Sequence, residues 1–194
     1  MSPRSAESTP RGFSLVELLI VIAVFGIVVA VGMPMFGAAL ESSRLSASAR
    51  DVERELQTAR LKAVTAKRPI RVRFNCPRAG EFRMVELIGS TSAPASEDMS
   101  TDRCSPETYP YPSQGTTRLD RPQHDGPLRA LTRGTVFTSA QTIEFRPDGT
   151  AHADLSGSNP WPVIPASTPV SIIVSRNGAT KTITVNGLGK IRIQ

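Results

Sequence analysis

Residues 11–18 read Arg11-Gly12-Phe13-Ser14-Leu15-Val16-Glu17-Leu18, and residues 19–33 continue LIVIAVFGIVVAVGM. The apolar run over 13–33 is about 21 residues. At 1.5 Å per residue it spans roughly 31 Å as a helix, the thickness of a hydrocarbon core. Glu17 is its only charge. Arg4 and Arg11 form a basic flank upstream, which the positive-inside rule keeps in the cytoplasm while the C-terminal part goes outward. A carboxylate at such a depth costs about 2.5–3.5 kcal/mol on insertion scales and is expected to have a partner. An ordinary signal peptide would have a shorter apolar core, although Gly37-Ala38-Ala39 would suit cleavage. Neither that nor a plain anchor helix explains Glu17.

Working outward, the pattern predicts that helix continues past Pro34, with a kink or local opening at the proline. Leu45, Ala49, Val52, Leu56, Ala59 and Ala63 recur at alternating spacings of four and three, one apolar stripe on a helix. Pro69 disfavours helix in the residue before it, so the helix is expected to end near Ala66 or Lys67. Beyond it the chain reads as strands. Ile70, Val72 and Phe74 alternate with Arg71 and Arg73, and a second run covers 82–88 after the turn Arg78-Ala79-Gly80. Further strands are expected at 135–137, 142–145, 150–154, 170–175, 181–186 and 190–193. Asp148-Gly149 and Asn177-Gly178 are hairpin turns. Residues 89–127, rich in Ser, Thr and Pro, read as a long irregular excursion.

The fold class is therefore α+β: a long N-terminal helix whose outer half packs on an antiparallel β-sheet head. The division expected is a leader at 1–12, a transmembrane helix at 13–33, its outward extension at 34–68 and a β-rich head at 69–194. The 194 residues carry a formal net charge of +6, with 39% hydrophobic and 5% aromatic residues. The core must then rely on Val, Ile, Leu and Ala. The positive excess suits nucleic acid, anionic lipid or an acidic partner, or simply a solvated surface.

The junction Arg11-Gly12-Phe13-Ser14-Leu15-Val16-Glu17-Leu18 resembles the leader junction of type IV prepilins and type II secretion pseudopilins. The resemblance implies cleavage between Gly12 and Phe13 by a prepilin peptidase and methylation of the new N-terminus at Phe13. It also implies that Glu17 pairs with the N-terminal amine of a neighbouring subunit. An amine and a carboxylate are each costly in an apolar medium, and together they set a register. Ile143-Glu144-Phe145-Arg146-Pro147-Asp148-Gly149-Thr150-Ala151 and Ile183-Thr184-Val185-Asn186-Gly187-Leu188-Gly189-Lys190-Ile191-Arg192 resemble the strand–turn–strand signature and closing hairpin of the GspH/FimT family. That family implies a single-pass inner-membrane protein with a periplasmic head, built into a pilus or pseudopilus with other pilins or pseudopilins. The implied role is a minor pseudopilin of type II secretion, H class. The alternative is a FimT-type minor pilin acting in pilus initiation or DNA uptake.

No catalytic motif is present: there is no GxSxG, P-loop or GxGxxG, and neither His124 nor His152 has a metal-ligand neighbour at usable spacing. No cofactor or metal is expected, and the chain is read as a non-enzyme. Gly189-Lys190-Ile191-Arg192 resembles the Gly-Arg-x-Arg motif with which some FimT-type pilins bind DNA, with lysine in place of the first arginine. Arg176 and Lys181 would extend that patch. Its other reading is the solvent face of a terminal strand. Cys76 and Cys104 are either a disulfide, permitted outside the cytoplasm, or two separate thiols.

Overall fold

The computed structural model describes residues 14–112, 122–155, 157 and 159–194; the side chains at 31, 34 and 35 are not described. The chain forms two compact units, 1–41 and 42–194. Helix α1, Leu15–Ala66, contributes to both and runs through position 34 as one element. It ends where Pro69 requires. Lys67 adopts φ +54°, and the Arg68 amide bonds back to the Ala63 carbonyl at 3.3 Å. That is a Schellman closure, with lysine in the place glycine usually takes.

In the second unit the strands are β1 Ile70–Phe74, β2 Glu81–Glu86, β3 Arg129–Ala130, β4 Val136–Ser139, β5 Ile143–Phe145, β6 Ala151–Ala153, β7 Val170–Arg176, β8 Ala179–Val185 and β9 Ile191–Ile193. They make a five-stranded sheet, order β3-β2-β1-β5-β6, and a four-stranded sheet, order β4-β7-β8-β9. Every pairing among them is antiparallel. The turns follow from their residues. Asn177 and Gly178 have φ +48° and +82°, the left-handed pair that a two-residue hairpin between β7 and β8 needs. Gly149 sits at φ +82°, and Asp148 closes its turn by accepting from both the Thr150 amide and hydroxyl.

The stripe read from the sequence is the spine of the core. Leu45, Ala49, Val52, Leu56, Ala59 and Ala63 are all buried, against Ile70, Val72, Phe82, Ile143, Phe145, Ile172, Val174, Ile183 and Val185. Three of the six are alanine, which lets the helix backbone come close to the strands. Phe74, Phe82 and Phe137 fill one end as a mutually packed trio with ring centroids 5.2–6.2 Å apart. Beside the spine, burial pushes the Glu55 carboxyl up in pKa, opposed by Arg129 and Lys62.

The described part of the excursion, 89–112 and 122–127, is more ordered than its composition suggests. It contains a short helix α2, Ser96–Met99, and a 3-10 turn, Thr101–Cys104. A disulfide ties Cys104 to Cys76. Asp98 holds the start of the segment by accepting from the amides of Ile88, Gly89 and Ala95.

One guanidinium joins the helix to two turns. Arg60 donates from Nε to the Gly149 carbonyl at 3.0 Å and from Nη2 to the Leu188 carbonyl at 2.9 Å. Gly189, at φ +69°, lies so close that a Cβ would stand 2.5 Å from Arg60 Nε and 2.7 Å from the Gly149 oxygen. Gly189→Ala therefore combines left-handed strain with a backbone collision. It should cost at least about 1–3 kcal/mol, against about 1 kcal/mol for Arg60→Ala. Thermal unfolding of the full chain in detergent should rank them in that order, with Gly189→Ala melting lower.

Candidate functional site

The first unit presents side chains with no partner surface. Leu15, Val16, Leu18, Leu19, Val21 and Val24 are all well exposed, and they lie on every side of α1. A helix apolar all round belongs inside a protein assembly or a bilayer. Glu17 lies in its first turn and is exposed within this chain. A carboxylate is also favoured at a helix N-terminus by the unsatisfied amides there. Among the described residues no helix is long and apolar enough to cross a membrane. The span read from the sequence, 13–33, includes position 13 and the side chain of 31, which lie outside them. The expected cleavage pair, Gly12 and Phe13, also lies outside the described residues.

The four basic residues singled out for DNA do not share a face. Lys190 and Arg192 do: Arg192 is in register with Thr184, and Lys190 exchanges backbone and side-chain bonds with Asn186 two residues on. Both are exposed. Lys181 is in register with Val174 and so lies on the opposite, core-ward face, half-buried. Arg176 is buried and donates from Nη1 to the Arg133 carbonyl and the Thr135 hydroxyl. The alternation of β7, which puts Arg176 in phase with Val174, turns it inward. The four-cation patch therefore reduces to two residues.

What the sequence reading missed is a belt of buried charge on the five-stranded sheet. Strand alternation sends Ile70 and Val72 toward α1 and Arg71 and Arg73 to the other face. Register sets Arg83 beside Arg73, Glu144 beside Arg71 and His152 beside Glu144. Such a face is usually wet, yet Arg71, Arg83, Glu144 and His152 are all buried. Glu144 takes Arg71 Nε at 2.9 Å on one oxygen and Arg146 Nε at 3.0 Å on the other. Arg71 also stacks on Trp161, 3.9 Å from its ring centroid. Arg83 spends its donors on the carbonyls of Gly126 and Tyr109, each at 2.7 Å, and burial lowers its pKa. His152 is held between the Trp161 carbonyl at 2.9 Å and the Thr150 hydroxyl at 2.8 Å.

The described residues of the 89–127 segment cover one side of this belt and carry their own pair. Arg103 grips both oxygens of Asp125, and Asp125 accepts the Glu86 amide at 2.8 Å. Glu86 in turn takes the amides of Gln123 and His124 and lies 3.1 Å from the His124 ring. His124 thus lies against the Glu86 carboxylate at the edge of this group. The only signal for this cover in the sequence was the count of charged residues on alternating strands. Among the described residues no cluster of three or more His, Cys, Asp or Glu could hold a metal ion.

Comparison with known proteins adds the family. Residues 48–189 match the family model described as type II transport protein GspH, and residues 8–33 match the prokaryotic N-terminal methylation motif. Among curated proteins none matches the sequence. Among solved structures, the minor pseudopilin EpsH from the type 2 secretion system of Vibrio cholerae is similar at 11% identity. It covers 78% of this chain and 96% of its own, with TM-score 0.44. The type IV minor pilin FimU of Pseudomonas aeruginosa is similar at 16% identity. It covers 79% of this chain and 90% of its own, with TM-score 0.45.

The belt predicts a sharp contrast between two charge removals. Glu144→Gln leaves Arg71 and Arg146 without their carboxylate inside the protein, a loss of about 3–5 kcal/mol. Asp51→Asn breaks only the exposed pair with Arg54, at 3.8 Å, and should change stability by less than about 1 kcal/mol. Chemical denaturation of the two variants beside the parent chain checks both.

Proposed function

Because the chain belongs to the GspH family of type II transport proteins, we propose that it is a minor pseudopilin of the H class. In this reading it is a structural subunit near the tip of a periplasmic pseudopilus used in protein export. One observation carries it: α1 is apolar on all sides over its first unit and apolar on one stripe over its second. The first part suits a bilayer and, later, the packed helices of a fibre; the second suits a water-exposed head. In this reading the cut falls between Gly12 and Phe13 and Phe13 is methylated by the prepilin peptidase that makes it; the methylation-motif match over 8–33 supports this. Residues 13–33 then cross the bacterial inner membrane once, and the head stands in the periplasm. That compartment also suits a Cys76–Cys104 bond.

In assembly, Glu17 accepts the N-terminal amine of a neighbouring pilin or pseudopilin. Neither charge is stable alone among apolar side chains, and each removes the other's cost. The pair therefore acts as a register mark on an otherwise featureless apolar surface. No reaction is assigned to the chain, and the family supports a structural role.

A second reading is a FimT-type minor pilin of a type IV pilus, in pilus initiation or DNA uptake. It is favoured by the exposed pair Lys190 and Arg192 on one face of the terminal strand. Two cations give a weak, salt-sensitive hold on phosphates. With Arg176 and Lys181 turned away, the secretion reading has the better support. Genomic neighbours, secretion genes or pilus and competence genes, separate the two.

Mass spectrometry of the mature protein should give an N-terminus at Phe13 carrying one methyl group. A start after Ala39 would replace this account with an ordinary signal peptide. Glu17→Ala should insert into the membrane at least as well as the parent, because an insertion penalty is gone. Its recovery in sheared fibres should fall, as measured by immunoblot against the membrane pool. Normal recovery would strip Glu17 of its role.

A further inference from the structure

A cleft opens onto the charged belt. Between the covering segment at Met99 and the loop that carries Trp161 lies a cleft of about 340 Å³, floored by Arg71 and Arg73. We propose that this cleft is a binding site for a monoanionic carboxylate attached to an apolar body, with Arg71 and Arg73 as the groups that hold the anion.

The first argument is a count of donors. Arg71 Nε bonds Glu144, and its Nη2 lies 2.9 Å from the same oxygen without the alignment of a hydrogen bond. Its Nη1 meets only the sulfur of Met99, at 3.5 Å. A thioether is a weak acceptor, and a buried guanidinium so poorly served is costly. Arg71 is 1% exposed, so these donors have no water to fall back on. Arg73 bonds only the carbonyls of Ser100 and Met99. Burial, with Arg71 and Arg103 close by, pushes its pKa down against the opposing pull of Asp98, and a further anion would act in the same sense as Asp98.

The second argument selects the anion. Asp98 and Asp154 also line the cleft. Asp98 is engaged by three backbone amides, which hold its charge at the cleft wall. Two carboxylates on the walls repel a phosphate dianion more than a monoanion, and a carboxylate matches the planar fork of a guanidinium. The third argument selects its body. Trp161 lies against Arg71, and Met99, 58% exposed, closes the cleft with an unbranched side chain that has three rotatable bonds. Swinging that thioether aside opens an apolar wall beside the two cations. The volume is at the lower end of small-molecule sites, enough for a short fatty acid or an acidic side chain.

The test uses the single tryptophan of the chain as its reporter. The full-length protein in detergent is titrated with butyrate at constant ionic strength, with chloride as the balancing salt. Emission of Trp161 should change saturably, with inorganic phosphate at least about tenfold weaker. Arg73→Gln should abolish the change. Met99→Glu, at an exposed position, should supply a tethered carboxylate: it should melt above the parent and no longer respond to butyrate. The proposal is overturned by the absence of a saturable change in the parent, by phosphate binding as tightly as butyrate, or by a butyrate response that survives in Met99→Glu. The parent titration and the Met99→Glu variant decide the matter even if Arg73→Gln fails to fold. None of these outcomes touches the processing and fibre experiments, so this site and the pseudopilin reading stand or fall separately.

Discussion

One helix has to satisfy two solvents, and the rest of the structure follows from that constraint. Over its first unit α1 has no polar side on which water could settle. Over its second it carries a narrow stripe, Leu45 to Ala63, with charged residues off the stripe. The change is made by side chains alone, since the element is continuous from Leu15 to Ala66. A stripe that narrow can bury only one side of a helix, so strands must close over it, and both sheets contribute to the same apolar cluster. Glu17 is the one charge inside the apolar run 13–33, which is why its chemistry has a meaning there that a surface glutamate would lack.

The head solves a second problem with unusual means. Its five-stranded sheet buries both faces, one against α1 with apolar residues and the other under the 89–127 segment with charges. Charge-to-charge contacts in an interior break even at best against apolar packing. They do, however, tolerate only one alignment of partners. Arg83 on the Gly126 and Tyr109 carbonyls, and Arg103 and Asp125 on the backbone of Glu86, fix the cover to the sheet in a way that a greasy contact would not. The cleft at Met99 is where that cover is incomplete.

The helical stripe, the end of α1 and the hairpins at Asn177-Gly178 and Asp148-Gly149 were legible because each is set by local rules of period or turn geometry. Most of the strands were found within a residue or two of their true ends. The two-residue strand Arg129–Ala130 and the short helix Ser96–Met99 have no period to detect. The charged belt was illegible for a different reason. Arg71 and Glu144 are 73 residues apart, and an arginine on the far face of a strand looks the same whether water or a carboxylate awaits it. Arg176 shows the same ambiguity, read as a surface cation and found holding a turn. The processing pair Gly12 and Phe13 was legible only through family resemblance, and it lies outside the described residues.

The clamp at Arg60 has a mechanical consequence. The stripe under α1 is half alanine, and alanines interlock poorly, so the buried contact resists separation better than sliding along the helix axis. Arg60 ties the helix to the Gly149 and Leu188 carbonyls, one in each β hairpin region that the two sheets extend to this end. Force applied along α1 therefore reaches the turns of both sheets through Arg60 as well as through the apolar stripe, with Arg60 acting as a shear pin. A subunit that is pushed or pulled by its helix needs such a pin, and Gly189 is small so that it can be seated.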